Sequence, residues 1–488
     1  MENERSAIGL VLDYLSKKYG CSLEAEYYTQ IDEWKKWWRG FYEPFHRIRE
    51  WNGVKTITRD LYSLRMAKKV CEDWASILLN EKTEIVLEDA ASSSYLIGED
   101  GLGGVLGDND FWRQGNALIE KAFATGTGAF VVKLTGFDVN EEGAIVRGDA
   151  KVKLEYLDAP CIVPLSVHAD KITEAAFVSS VTERGKKYIY VESHALENGE
   201  YVIKNDYFRS DNGVLVPESL PSGVAPSIRT GSTLPWFALI SPNLVNNIWH
   251  NNGLGISIFA NAIDNLKGID LAFNNFCRDF MLGGKKVFYN KELIRTDKDG
   301  RKITPDDMAQ QLFMQIGDDI TRLDADQLIH EFNPDLRVEG NQQGLQAQLN
   351  YLSFKCGFGV RRYQFKSDTV QTATEYMGSQ QEMIQNANKH YIAVERALQT
   401  LTRTILHIGR EFCGQPVNPD TGITVNFEDS YIIDKESERQ RDLQEIRDGI
   451  MQKYEYRMKW FGEDEETAKK MAAPDQSDDD WMGFSKEE

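Results

Sequence analysis

FKCGFGVRRYQFKSDTVQTATEYMGSQQEMIQNANKHYIAVERALQTLTRTILHIGREFC, residues Phe354 to Cys413, joins a Gly- and Arg-containing loop to one long amphipathic segment. Ile384, Ala387, Tyr391, Val394, Leu398, Leu401, Ile405 and Ile408 recur at alternating spacings of three and four, which places them in one stripe along a helix. No Gly or Pro falls inside that stripe. Thr372 or Thr374 is the expected N-cap, and Gly414 and Pro416 stand just past the end. The pattern therefore predicts a helix of about 40 residues, roughly 60 Å long at 1.5 Å per residue. On its own such a helix fits a long core element or a coiled-coil strand, so its neighbours must decide.

Composition narrows the classes. The 488 residues are enough for several packed layers, and with 41% hydrophobic and 27% charged residues most of the chain should fold. An excess of 76 acidic over 56 basic residues gives a formal charge of -20, which argues against gripping nucleic acid by neutralising phosphates. Cys21, Cys71, Cys161, Cys277, Cys356 and Cys413 form no CxxC pair and follow no signal peptide, so they read as buried thiols of a cytosolic product. The histidines make no HExxH or other ligand spacing, which implies neither a metal nor a cofactor. No apolar run approaches the length of a membrane-spanning helix.

The chain reads as α+β. A short helix is expected from Ile8 to Tyr19, then an aromatic and basic segment to Trp51 whose Trp34, Trp37 and Trp38 sit at helical spacing and anchor a helix to a core. Leu61 to Leu79 is expected as an amphipathic helix on Leu61, Leu64, Ala67, Cys71, Trp74 and Leu78. The glycines of Gly101 to Gly107 match neither a Walker motif nor GxGxxG and read as a flexible turn. A helix from Asp110 to Ala124 and a strand from Ala129 to Leu134 precede short strands from Ala144 to Val216, with turns at Gly185-Lys186, Asn198-Gly199 and Asn212-Gly213. Pro217 to Pro235 reads as a surface loop or linker.

Further on, Gly253 to Ala260 leads into a helix ending near Leu282, with Phe259, Ile263, Leu266, Phe273, Cys277 and Phe280 as its stripe. A small insert follows, with a strand from Lys285 to Tyr289, a turn at Asp299-Gly300 and a helix opened by Thr304, Pro305 and Asp307. Arg295 at the first position of the only EF-hand-like alignment excludes calcium there. From Val338 to Cys356 another helix buries Leu345, Leu349, Leu352 and Cys356. Its other face, Gln342, Gln343, Gln346, Gln348 and Asn350, is polar but nearly uncharged. That face suits a subunit contact or a channel wall; a neutral solvated face is the alternative. A strand at Ile423 to Phe427, a charged helix from Asp434 to Lys453, a helical stretch interrupted at Gly462 and an acidic disordered tail from Asp475 complete the chain.

The loop Gly357 to Phe365, with Lys366-Ser367-Asp368 and the Thr372-Ala373-Thr374-Glu375 tetrapeptide, resembles the segment preceding the long helix in portal proteins of tailed double-stranded-DNA bacteriophages. Ser63 to Leu79, Pro242 to Asn247, Gly255 to Arg278 and Ile432 to Glu438 also look like segments of the branch lacking protease or capsid modules, in the right order. The resemblance implies a ring-forming subunit with wing, stem, clip and crown regions. Laid on this chain it gives a wing at 1–253, stem helices at 254–282 and 336–356 flanking a clip at 283–335, and a tunnel loop at 357–371. The long helix and a wing return strand take 372–433, the crown 434–474 and the tail 475–488.

The resemblance further implies a twelve-subunit ring at one capsid vertex of the virion, assembled in the host cytoplasm, and no enzymatic activity. Double-stranded DNA passes without sequence-specific binding. Terminase and then a head-completion adaptor dock at the clip, and the major capsid and scaffolding proteins are further partners, with no membrane. Candidate channel residues are Arg361, Arg362, Gln364, Lys366 and Ser367 in the loop and Gln342, Gln343, Gln346 and Asn350 on the helix. Lys285, Lys286, Arg301 and Lys302 are the candidate clip contacts. For each loop arginine an inter-subunit salt bridge is the alternative. An acidic wall suits a passage through which a polyanion must slide, although ordinary solubility accounts for the same charge. The competing readings are a carboxylate-dependent hydrolase, for which no particular carboxyl pair stands out, and a non-portal coiled-coil protein, which requires charged e and g positions along more heptads.

Overall fold

Helices begin where large apolar side chains recur at helical spacing. In the computed structural model the described residues are 7–22, 24–51, 55–80, 82–99, 103–140, 142–146, 150–211, 213–249, 252–290, 313–316, 329–364, 373–427 and 435–472. α1 (Ala7–Tyr19) turns Val11, Leu12 and Leu15 inward, and α2 (Ala25–Trp38) buries Tyr27, Ile31, Trp34 and Trp37. The tryptophans are thus core anchors, and Trp38 at the rim donates from Nε1 to Glu120 at 2.9 Å. α3 (Glu43–His46) leads into the hairpin of β1 (Arg47–Trp51) and β2 (Thr56–Asp60).

α4 (Met66–Leu78) starts at Met66, not Leu61, because Arg65 sits in the left-handed region (φ 55) and the residues before it are held by another helix. β3 (Glu84–Leu87), α5 (Ala90–Ile97), α6 (Gly104–Asp108) and α7 (Phe111–Thr125) follow. The short helix α6 replaces part of the expected flexible turn. Gly104 (φ +60) packs so closely on the preceding helix that an added Cβ would lie 2.6 Å from the Leu96 carbonyl carbon.

The β-rich region contains β4 (Gly128–Thr135), β5 (Asp138–Val139), β6 (Ile145–Val146), β7 (Lys151–Asp158), β8 (Ile162–His168), β9 (Lys171–Glu183), β10 (Lys186–Glu197), β11 (Glu200–Asp211), β12 (Val214–Pro217), β13 (Ser227–Arg229) and β14 (Phe237–Ile240). One sheet has the order β14-β4-β7; the other runs β12-β11-β10-β9-β8, with β13 added on β11. Short strands were expected, yet β9, β10 and β11 have 13, 12 and 12 residues. Their polar halves keep pairing out to Lys186↔Glu183 in solvent, so polarity there marks exposure and not a strand end. The two-residue turns fall at Arg184-Gly185 and Asn198-Gly199, all four with positive φ, as the primed hairpin turns require. Nor is Pro217 to Pro235 a linker. It straps the sheet through β13, an Asn205 Nδ2 bond to the Ala225 carbonyl (2.7 Å) and a Thr230 Oγ1 bond to the Tyr201 carbonyl (2.9 Å).

Residues 253–257 form no helix, and two amides of this stretch and its turn bond to a distant segment. Gly255 N donates to Thr127 Oγ1 and Ile258 N to the Phe123 carbonyl, both at 2.9 Å. α8 (Ile263–Leu282) therefore starts at Ile263, nine residues into the 254–282 span that the resemblance gives to the first stem helix. Of the expected stripe Phe259 and Leu266 are buried, Ile263, Phe273 and Cys277 are half-buried and Phe280 is 49% exposed, while Ile269, Asp270 and Asn274 complete the buried face. The two polar residues hold the chain entering α4. Asp270 accepts from Leu64 N (2.7 Å) and Ser63 Oγ (2.9 Å) and lies 2.9 Å from His46 Nε2; Asn274 accepts from Arg59 Nη1 at 3.2 Å.

Beyond α8, β15 (Lys286–Asn290), β16 (Phe313–Ile316) and β17 (Ile329–Phe332) form a sheet of order β16-β15-β17. The Asp299-Gly300 turn and the helix expected at Thr304 lie outside the described residues. α9 (Val338–Lys355) packs along α8, with Arg337 paired to Asp279 at 2.7 Å near one end and Gln348 meeting Asn265 at the other.

α10 (Ala373–Glu411) is a single helix of 39 residues. Ala387, Tyr391, Val394, Leu398, Leu401, Ile405 and Ile408 are buried, and Met383, His390, Thr402, Thr404 and Leu406 widen the stripe beyond a coiled-coil seam. β18 (Ile423–Asn426) pairs antiparallel with β3. α11 (Lys435–Arg447) ends before the expected Lys453, with Gly449 at φ +75 beyond it; α12 (Lys453–Phe461) opens on a Gln452/Glu455 capping box, and α13 (Glu465–Met471) follows the Gly462 break. The fold is a mixed α+β arrangement.

Two outcomes follow from these packing and titration patterns. Leu398→Ala should cost about 2–5 kcal/mol in urea denaturation, while Ile392→Ala, at a position 64% exposed on the same helix, should change stability by about 0.5 kcal/mol or less. His390, whose Nδ1 accepts from Asn243 N at 3.0 Å, has its pKa lowered to about 3 by burial and by neighbouring Lys389. An unfolded histidine binds its proton near pH 6.5, so stability should fall as pH drops from there toward 3, by up to about 1.4 kcal/mol per pH unit. His390→Asn should flatten the upper part of that slope in denaturation curves recorded between pH 6.5 and 4.5.

Candidate functional site

The loop after α9 is built from its glycines outward. Gly357 (φ +84) and Gly359 (φ +77) allow a tight return in which Gly357 N bonds to the Phe354 carbonyl (3.1 Å) and Phe358 N to the Ser353 carbonyl (3.0 Å). Ser353 Oγ donates to the Gly359 carbonyl, and Asn386 of α10 donates from Nδ2 to the Gly357 carbonyl at 3.1 Å. Phe358 is buried and stacks on Trp74 of α4, ring centroids 4.5 Å apart, and Trp74 Nε1 donates to the Cys356 carbonyl at 3.0 Å. Three helices therefore hold the root of one loop.

Beyond the root, consecutive side chains part ways. Tyr363 OH donates to Asp73 Oδ2 at 3.0 Å, and burial together with the Asp73 charge raises its pKa, so it remains a neutral donor. Arg362 Nε lies 3.9 Å from the same oxygen, and the guanidinium sits 5.5 Å from the Phe358 ring centroid. Arg361, Arg362 and Gln364 are all exposed, and of the two arginines only Arg362 has an ion-pair partner among the described residues. Lys366, Ser367 and Thr372 lie outside the described residues.

On α9, Leu349, Leu352 and Cys356 are buried and Leu345 is half-buried, which leaves the amide-rich face turned away from the core. Gln342, Gln343 and Gln346, with Glu339 and Gln364, line an open cleft of about 440 Å³. Gln346 Nε2 donates to the Tyr363 carbonyl at 3.0 Å, and Asn350, one turn on, lies against Gln346 and the Val360 carbonyl. Gln348 belongs instead to the contact with α8, against Gly268 and Asn265. In the insert, Lys285 pairs with Glu331 and Lys286 opens β15 opposite Phe332. Arg301 and Lys302 lie outside the described residues.

Asp73, Trp74, Tyr363 and Asn386 escaped the sequence reading as site residues. Trp74 was read only as core. Asp73 adjoins it on an otherwise apolar helix face, and a carboxylate beside a buried stripe was the available signal.

A second cavity of about 360 Å³ lies between the two large sheets, but its Lys133 is paired with Glu155 (2.9 Å) and Glu192 (3.0 Å), and Glu192 with His194 (2.9 Å). Burial opposes ionisation of Glu192, yet His194 and Lys133 prevail and lower its pKa to about 2, the opposite of what a glycosidase acid requires. Among the described residues no group of three or more His, Cys, Asp or Glu side chains could hold a metal ion, and no helix is long and apolar enough to cross a membrane. All six cysteines are free, and burial raises the pKa values of Cys71 and Cys356.

A family model described as "Phage portal protein, SPP1 Gp6-like" matches residues 24–480. No curated protein matches the chain.

The root of the loop can be dissected at Trp74. Trp74→Phe keeps an aromatic ring against Phe358 but deletes the N–H donor, and should cost about 1–2 kcal/mol in chemical denaturation. Trp74→Ala should cost about 3–5 kcal/mol.

Proposed function

Because the chain belongs to the phage portal protein family, we propose that it is the subunit of a twelve-membered ring at one capsid vertex, enclosing the channel through which double-stranded DNA is packaged and ejected. The family is a structural one and a component of the virion. In this reading the N-terminal helices and the two large sheets form the wing, α8 and α9 the stem, β15 to β17 the clip, residues 357–371 the tunnel loop, and α11 to α13 the crown. The observation that carries it is the loop itself. Its root is fixed on α4, α9 and α10, while Arg361 and Gln364 stand exposed beside the amide-lined cleft of α9.

That arrangement suits a polymer that must slide. A ring repeats each loop around the axis, so each exposed loop cation becomes a band, while the chain's charge of -20 opposes lasting attachment to phosphates. Glutamine amides lining a wall touch a polyanion without holding it by charge. Phe280, Met281, Leu282, Tyr351 and Phe354 remain exposed on α8 and α9, apolar surface that neighbouring subunits would cover. Terminase, and later a head-completion adaptor, would meet the clip at Lys285, Lys286, Arg301 and Lys302, with capsid and scaffolding proteins around the wing. Movement of DNA here requires geometry, not bond chemistry.

Electron micrographs of the purified chain should show rings with a central hole; a uniform monomer under assembly conditions, or hydrolytic activity, would count against the proposal. The combined variant Arg361→Ala, Arg362→Ala, Lys366→Ala should still form rings but alter the amount of DNA packaged, and unaltered packaging would remove the loop's proposed role.

A further inference from the structure

Arg361 and Arg362 are neighbours in sequence, yet the fold treats them differently, and the cause is one carboxylate. Asp73 is 7% exposed, and its two oxygens serve different elements. Oδ1 accepts from Lys69 Nζ of its own helix at 2.7 Å, whereas Oδ2 receives Tyr363 OH at 3.0 Å and faces Arg362 Nε at 3.9 Å. A mostly buried carboxylate is costly unless such donors surround it, and here the loop supplies those on one side.

We propose that Asp73 is the positioning residue of this loop: by engaging Tyr363 and tethering the exposed Arg362 at 3.9 Å, it leaves Arg361 as the arginine of the described loop segment whose charge is not offset by an ion pair. Arg362 then contributes to the lock and not to contact with a polyanion. The wing helix α4 thereby sets how many charges each subunit offers. The inference deepens the portal reading and rests on it only where DNA is concerned; the lock itself is a property of the folded chain.

The test uses Asp73→Asn, which keeps the shape and removes the charge, and Tyr363→Phe, which deletes only the hydroxyl donor. Hydrogen exchange of the full-length protein should speed up about tenfold in the peptide spanning residues 356–364 in both variants, with no change in β9 to β11. Exchange in that peptide equal to wild type, or faster exchange spread over the whole chain, would overturn the lock. A second readout separates positioning from simple packing. Asp73→Asn frees a cation, so the protein should bind a short DNA duplex more tightly at low salt, with a steeper salt dependence that Asp73→Asn combined with Arg362→Ala abolishes. DNA binding that stays at the wild-type level in Asp73→Asn, while wild type itself binds, would refute the charge-setting role. If no variant binds DNA and no rings form, the portal reading fails, and hydrogen exchange alone still decides whether Asp73 holds the loop.

Discussion

A helix of 39 residues has more apolar length than any single neighbour can cover, so α10 recruits partners from the whole chain. β14, β4, α4, α5 and β18 each pack on part of it. Polar ties then fix its position along the axis. Asn386 holds the Gly357 carbonyl, His390 accepts from Asn243 N, Tyr391 OH donates to the Ile77 carbonyl at 3.1 Å, and Thr404 Oγ1 donates to the Pro235 carbonyl at 3.0 Å. The first joins the helix to the loop just before it, and the other three join it to segments more than 140 residues away. Without this beam neither the large sheets nor the loop root would have a fixed reference.

α4 is the counterpart of the beam. Its approach, residues 59–64, is held by Asp270 and Asn274 of α8, its middle carries Asp73 and Trp74 to the loop, and its end meets Tyr391. Asn116 of α7 adds bonds to the carbonyls of Ala75 (3.0 Å) and Leu79 (2.6 Å). One helix of 13 residues, with the approach that precedes it, thus links α8, the loop and α10. Such continuity of packed, hydrogen-bonded elements is the physical precondition for a displacement at the loop to be felt in α8.

Periodicity made α10, α9 and the tryptophans of α2 legible, because each buries a stripe that apolar spacing alone describes. It misread α8. There the buried face includes Asp270 and Asn274, which a count of hydrophobic residues passes over, while Phe280, Met281 and Leu282 are exposed at its end. The late start of the same helix was hidden for a related reason: the amides of Gly255 and Ile258 bond to residues on a distant segment. The long strands β9 to β11 were read as short because solvent-facing pairs carry polar side chains. As for the loop, sequence marked it as basic and glycine-containing but gave no means to separate Arg362 from Arg361. Only the position of Asp73 does that.

The pairing of β3 with β18 has a consequence for the order in which the chain acquires its structure. Ile423 lies opposite Leu87, and the Asp89 amide bonds to Thr421 Oγ1 across 332 positions. β3 so placed has no partner until residues 423–426 have left the ribosome. Contacts of such sequence separation form slowly and leave an unpaired edge exposed while they wait. Synthesis can therefore complete the local hairpins of the β-rich region first, whereas closure of the body around α10 waits until α10 and β18 have both emerged.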